Sequence, residues 1–284
     1  MWNTVIGLPF PPVNAVAPTI ISDRATELWG LLASIGMLYA LKNWRDTGRP
    51  FLLLIILGGG MTTLVEPLVD LLGACWHPIH GQATVFELLG RPIPPWIISA
   101  YFAFFGSQGV LLYTLLRKGI SMNVIRIMFL LAVVVDAVSE EIALPTGLYI
   151  YYGHQPLMIL GMLPWWWAAC NSIGLFVGIA LVAILTPYLR GLWSLVILLI
   201  LPLGDVLGYS AIGVPSFIVI NAQFVPNWLV QLAGLATFIL AALLVQGIAL
   251  LLGRDSPLRQ TRTSDSGSIE KIASLSGIFE PAAR

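Results

Sequence analysis

The chain has 284 residues, 58% of them hydrophobic and only 10% charged, with a mean hydropathy of +0.89. A soluble domain carries about 25% charged residues, so a water-soluble globule is excluded. The 14 basic and 14 acidic residues cancel, leaving no basic excess to hold a phosphate backbone and excluding nucleic acid as a partner.

The amino end, Met1-Trp2-Asn3-Thr4, lacks the basic stretch of a cleaved signal peptide, so the first apolar helix is expected to stay in the mature protein. Cys75 and Cys170 lie in or beside apolar runs and can build neither a disulfide framework nor a four-thiolate metal site. In chain order, apolar stretches fall near 25–43, 51–76, 95–116, 123–145, 158–185, 192–213 and 227–252. Each is long enough to cross a ~30 Å hydrocarbon core, which takes about 20 helical residues. They are continuously apolar rather than alternating, which favours helices over a barrel. The expected fold is therefore all-α: a multi-pass bundle of seven transmembrane helices over 25–252, embedded in the lipid bilayer.

Basic residues gather in alternate loops: Lys42, Arg45 and Arg49, then Arg117, Lys118 and Arg126, then Arg190, then Arg254, Arg259 and Arg262. Only Arg24 and Arg91 occupy the others. By the positive-inside rule the segment 1–24 faces out and the tail 253–284 is cytoplasmic. The tail is rich in Ser, Thr and Gly with mixed charge and is expected to be disordered. Pro67, Pro164 and Pro202 fall within the second, fifth and sixth spans, and Gly58-Gly59-Gly60 lies in the second. These predict kinks and close helix approach.

The charges deep inside the spans are all acidic. At ~1.5 Å per residue from the cytoplasmic end, Glu66 lies roughly 22 Å in, Asp136 and Glu140 roughly 15 to 20 Å, and Asp205 roughly 20 Å. Glu66 and Asp70 are four apart, as are Asp136 and Glu140, so each pair shares a helix face. Glu27, Asp70 and Glu141 lie nearer the outer surface. A carboxylate facing lipid costs several kcal/mol, which makes intramembrane acids functional candidates by default. With no Lys or Arg at matching depth, these groups must be protonated, bind a cation or meet water.

Around them the outward half carries many aromatics, among them Tyr149, Trp165, Trp166, Trp167 and Tyr209. An interfacial belt accounts for any one of them, but three consecutive tryptophans span 200° of a helix and at least one should point inward. Aromatic faces attract cations, so neutral acids and aromatic walls together suit carbocation chemistry. Asn171 and Gln108 offer polar groups at matching depth, as orienters or as links between helices. His77 and His80 with a nearby acid would admit zinc, but Pro78 between them opposes a helical pairing; no metal and no cofactor is expected.

Three functions fit: proton-initiated conversion of a neutral lipid, a proton or cation pathway, or ligand binding without chemistry. A retinal protein is excluded because Lys42, Lys118 and Lys271 all lie outside helix centres. No Asp-Asp-x-x-Asp run and no basic clamp is present to ionise a diphosphate.

Seven spans in a short chain, the acid in Val65-Glu66-Pro67 and the late acid Asp205 resemble the small integral-membrane terpene cyclases of meroterpenoid and indole-terpenoid pathways, over residues 25–252. The stretch from Glu140-Glu141 through Gly147-Leu148-Tyr149-Ile150-Tyr151 resembles membrane carotenoid hydratases. The resemblance implies protonation of an epoxide or terminal alkene on a hydrophobic, prenylated small molecule. It bears on Glu66 and Asp205; taken with the other acids, aromatics and amide at matching depth, Glu66 or Asp136 is expected as donor and Asp205 or Glu140 as partner, with Asp70, Tyr149, Trp165, Trp166, Asn171 and Tyr209 around the substrate.

Overall fold

A computed structural model describes residues 10–258, so what the sequence suggests for the first nine residues and for the tail beyond 258 lies outside the described residues. The fold is helical apart from two short ribbons. Helix α1 (Thr19–Thr47) ends at Gly48, whose left-handed φ of 69° lets its N–H reach the Trp44 carbonyl. Its start at Thr19 takes in part of the segment that the sequence assigns to an outward extension. Helix α2 (Phe51–Met61) runs into a 3-10 turn at Thr62–Leu64, and α3 (Glu66–Gly73) follows at a bend of 46°. Pro67 accounts for the break: it lacks an N–H and its ring opposes a continuous helix, but it is tolerated in the first turn of a new one.

The chain then forms β1 (Cys75–Trp76) and the hairpin of β2 (Phe86–Leu88) and β3 (Arg91–Ile93). Helix α4 (Pro95–Tyr101), a π-helical stretch (Phe102–Gln108) and α5 (Gly109–Arg117) make the next continuous run. Gly59 of α2 lies against this π stretch. A Cβ there would come within 2.4 Å of the Gly106 nitrogen, so the close approach expected of the Gly58–60 triplet is present.

Helix α6 (Met122–Ala143) is capped by the Ser121 hydroxyl. Strand β4 (Ile150–Tyr151) returns to pair with β1, setting Cys75 opposite Tyr151. Helix α7 (Trp165–Leu185) is the central, most enclosed element, with α5, α6, α8 and α9 around it. It starts seven residues later than the apolar stretch from 158 predicts, because Pro164 caps it rather than kinking it. Helix α8 (Ile197–Ile220) keeps Pro202 and Pro215 inside it, and α9 (Asn227–Leu252) closes the bundle.

Among the described residues, four helical runs are long and apolar enough to cross a membrane: Pro95–Arg117, Trp165–Leu185, Gly191–Ile220 and Asn227–Leu252. The bent pair α2–α3 makes a fifth if taken as one span. Helices α1 and α6 are not among them; α1 carries charges at both ends and α6 carries Asp136, Glu140 and Glu141. Lipid-like exposure of Leu28, Leu31 and Ile35 on α1 and of Leu130, Leu131 and Val134 on α6 fits a membrane-embedded, multi-pass chain. Arg49, Arg117 and Lys118 border one pocket at the end of the bundle far from the ribbons.

Arg91 holds the ribbon end together. It is 5% exposed, lies 5.6 Å from the ring centroids of both Trp76 and Tyr152, and donates to the Tyr152 hydroxyl at 2.6 Å. Arg91→Ala should lower stability by about 1–3 kcal/mol, since it deletes a buried charged hydrogen bond and two cation–π contacts. An unchanged thermal midpoint in detergent would show the contacts to be idle.

Candidate functional site

A cavity of about 500 Å³ lies at the ribbon end of the bundle, within the ~300–1,000 Å³ typical of small-molecule sites. Its walls are mostly apolar. Ile21, Arg24 and Leu28 of α1 and Ile142 of α6 line it although all four are exposed, so it opens sideways between the start of α1 and the end of α6. Arg24 at this mouth is paired with Glu27 at 2.5 Å.

Three of the predicted acids meet here: Glu66, Asp136 and Glu140 all line the cavity. The break before α3 puts Glu66 in a first helical turn, where free backbone N–H groups favour an acid. Its Oε2 accepts a short hydrogen bond from the Tyr101 hydroxyl. Tyr101 is the last residue of α4 before the π stretch and stacks on Phe105 at 4.9 Å. On α6 the four-residue spacing brings Asp136 and Glu140 to one amide: Asn171 of α7 donates to Asp136 Oδ2 and to Glu140 Oε1, both at 3.2 Å. Glu140 Oε2 accepts from the Tyr151 hydroxyl at 2.6 Å. Burial first, and the neighbouring Glu140 next, push the Tyr149 and Tyr151 phenols well above their ordinary values. Both stay protonated donors at neutral pH.

The absence of Lys and Arg at this depth has an unforeseen complement. His77, just past β1, is 2% exposed, with Nε2 3.4 Å from Asp70 and 3.6 Å from Glu66. Burial opposes a charged imidazole, but Asp70 foremost and Glu66 with it outweigh this and push His77 up to about 9. His80 is exposed, so the His77–His80 pairing considered for zinc does not form.

Several sequence candidates stand outside the cavity wall. Asp70 is buried behind His77 rather than beside the cavity. Asp205 faces α7, where its Oδ1 would meet a Cβ on Gly174 at 2.0 Å. Tyr209 is buried 5.6 Å from both the Trp167 and Phe217 rings. Of the three tryptophans it is Trp167 that lines the cavity; Trp166 is wholly buried and donates to Gln155 at 3.1 Å, and Trp165 points elsewhere. The helix turns ~100° per residue, so only one of three neighbours can face one wall. Gln108 and Glu141 also lie outside the lining.

Sequence reading weighed His77 only as a zinc ligand beside His80, and missed Cys75 and Tyr151 as site residues. A signal existed in the alternation: Cys75 and His77, and likewise Tyr149 and Tyr151, are two apart, the period that puts side chains on one face of an extended chain. All four line the cavity. No family model, curated protein or solved structure matches this chain.

Proposed function

We propose that this chain is an integral-membrane cyclase that crosses the bilayer seven times, amino end outside and carboxyl end cytoplasmic, and cyclises a neutral prenylated or terpenoid lipid by proton-initiated chemistry. One observation carries the reading: carboxyl groups from two separate helices, Glu66 from α3 and Asp136 with Glu140 from α6, converge on one largely apolar cavity that opens sideways. The gathering of Arg49, Arg117 and Lys118 at the opposite end supports the orientation.

The hydrogen bonds suggest the roles. Glu140 receives donors on both oxygens, from Tyr151 and Asn171, which suits a carboxylate. Asp136, sharing the Asn171 amide with it, then holds the proton, because two adjacent carboxylates do not both ionise in an apolar wall. Asp136 gives that proton to an alkene carbon or epoxide oxygen of the substrate. The cation formed is attacked by a second alkene to close a ring. Trp167, Tyr149 and Trp96 line the cavity and put aromatic rings beside the positive charge. A C–H proton next to the final cation passes to Glu66, leaving an alkene, and solvent returns it to Asp136. The net reaction is an isomerisation that consumes no co-reactant.

The test is lipid conversion by cells making the chain. Glu66→Gln should abolish product while the protein stays inserted with its thermal midpoint intact. Full conversion by the Glu66→Gln protein would remove that residue from the mechanism. Acid-dependent proton or cation flux in liposomes without lipid conversion would replace the cyclase with a transporter.

A further inference from the structure

The cavity floor holds a second set of groups that the proton chemistry does not use. Asp70, Cys75 and His77 are 0%, 2% and 2% exposed, and one ligand atom from each lies within 4.8 Å of the others. They come from the last turns of α3 and from the segment that follows, which the β1–β4 pairing fixes opposite Tyr151. Their polar atoms are poorly served by the protein. Neither oxygen of Asp70 and neither ring nitrogen of His77 has a hydrogen bond, although all four atoms are buried. The one interaction these two side chains share is the 3.4 Å ion pair of His77 Nε2 with Asp70 Oδ2, which leaves Asp70 Oδ1 and His77 Nδ1 without a partner at a cost that burial makes large.

The spacing suits an ion better than a hydrogen bond. Ligands at ~2.0–2.3 Å around a tetrahedral zinc stand roughly 3.3–3.8 Å apart. Within the set, His77 Nε2 is 3.4 Å from Asp70 Oδ2 and the Cys75 sulfur lies within 4.8 Å of both residues' ligand atoms, close enough for a small contraction onto an ion. A thiol, an imidazole and a carboxylate form a mixed set that matches borderline-soft Zn²⁺ rather than Mg²⁺ or Ca²⁺, which take oxygen ligands. Cys75 and His77 line the cavity and Asp70 backs them. An ion among the three therefore has its remaining position turned to the cavity beside Glu66. We infer that Asp70, Cys75 and His77 form a zinc site with one position open to the cavity, able to take an oxygen-bearing group of a ligand. This goes beyond the cyclase reading and does not depend on it.

The experiment is metal analysis of protein purified in detergent without chelators and then loaded with zinc or cobalt(II). The wild type should retain stoichiometric zinc through gel filtration and, with cobalt, show a thiolate charge-transfer band in the near ultraviolet. Cys75→Ser should lose the band and retain markedly less metal, and His77→Gln and Asp70→Asn should lose the metal. Wild-type protein holding no more metal than Cys75→Ser after loading would overturn the site. Thermal midpoints guard against misfolded variants: a chelator should lower the wild-type midpoint by several degrees and added zinc restore it. Indifference of the wild type to both would equally overturn the proposal. Asp136→Asn separates the two ideas, since it should keep the metal while losing lipid conversion.

Discussion

Asp136→Asn is expected to cut lipid conversion by roughly 10²–10⁴-fold, the usual worth of a positioned general acid. The substitution is nearly isosteric. The amide it introduces can keep one contact with Asn171 by rotating, but it has no transferable proton. Glu140→Gln should also be severe, for a different reason: a neutral amide there removes the negative neighbour that keeps the proton on Asp136 and leaves the Tyr151 hydroxyl with a weaker acceptor. The double variant should be no worse than the worse single one, because residues acting as one unit are not additive. Product formation measured against membrane-inserted protein, at matched thermal midpoints, decides it. If Asp136→Asn turns over at the wild-type rate while Glu66→Gln is dead, the donor is Glu66 and the α6 pair only polarises the wall. If all three neutral variants convert lipid normally, the acids are structural.

How far the site could be read from the sequence differs from residue to residue. Asp136 and Glu140 were readable because a four-residue spacing fixes both depth and rotation on a helix: two acids on one face must point the same way, and lipid is too costly a destination. Pro67 marked the place of the α2–α3 break, though not that it would put Glu66 in a helix's first turn. Asp205 had the right depth, but counting residues along a helix leaves its rotation open. Its neighbours Gly204 and Gly208 were the overlooked signal, since small residues four apart mark a face that packs on another helix. Asp70 shares a face with Glu66, yet one more turn carries it past the cavity and behind His77. The two-residue alternation placed Cys75 with His77 and Tyr149 with Tyr151, but not the two segments against each other, because Cys75 pairs with Tyr151 from far along the chain and a two-residue strand has almost no propensity signal of its own. The helices, with their long apolar runs, were legible almost to the residue for α9 and for the start of α2. The start of α7 was not, because hydropathy continues through Met158–Pro164 where the backbone does not.

Gly204→Ala and Gly247→Ala should move stability in opposite directions. A Cβ on Gly204 would stand 2.3 Å from the Gly178 Cα and 2.6 Å from its nitrogen. The obstacle is the backbone of α7, which cannot rotate away as a side chain can, so α7 and α8 must separate. Overpacking of this kind costs about 1–3 kcal/mol. The separation would also loosen Asn171 and Trp167, which α7 carries into the cavity, so lipid conversion should fall along with the thermal midpoint. Gly247, inside α9, has nothing within 4 Å of the position a Cβ would take. There the methyl group removes the conformational freedom that glycine brings to the unfolded chain, and a helix interior gains about 0.5–1 kcal/mol. Thermal unfolding of both variants in one detergent gives the comparison. Equal midpoints would mean that α7 and α8 adjust to a methyl group without cost, and the tight crossing that turns Asp205 away from the cavity would then not be what fixes the rotation of α8.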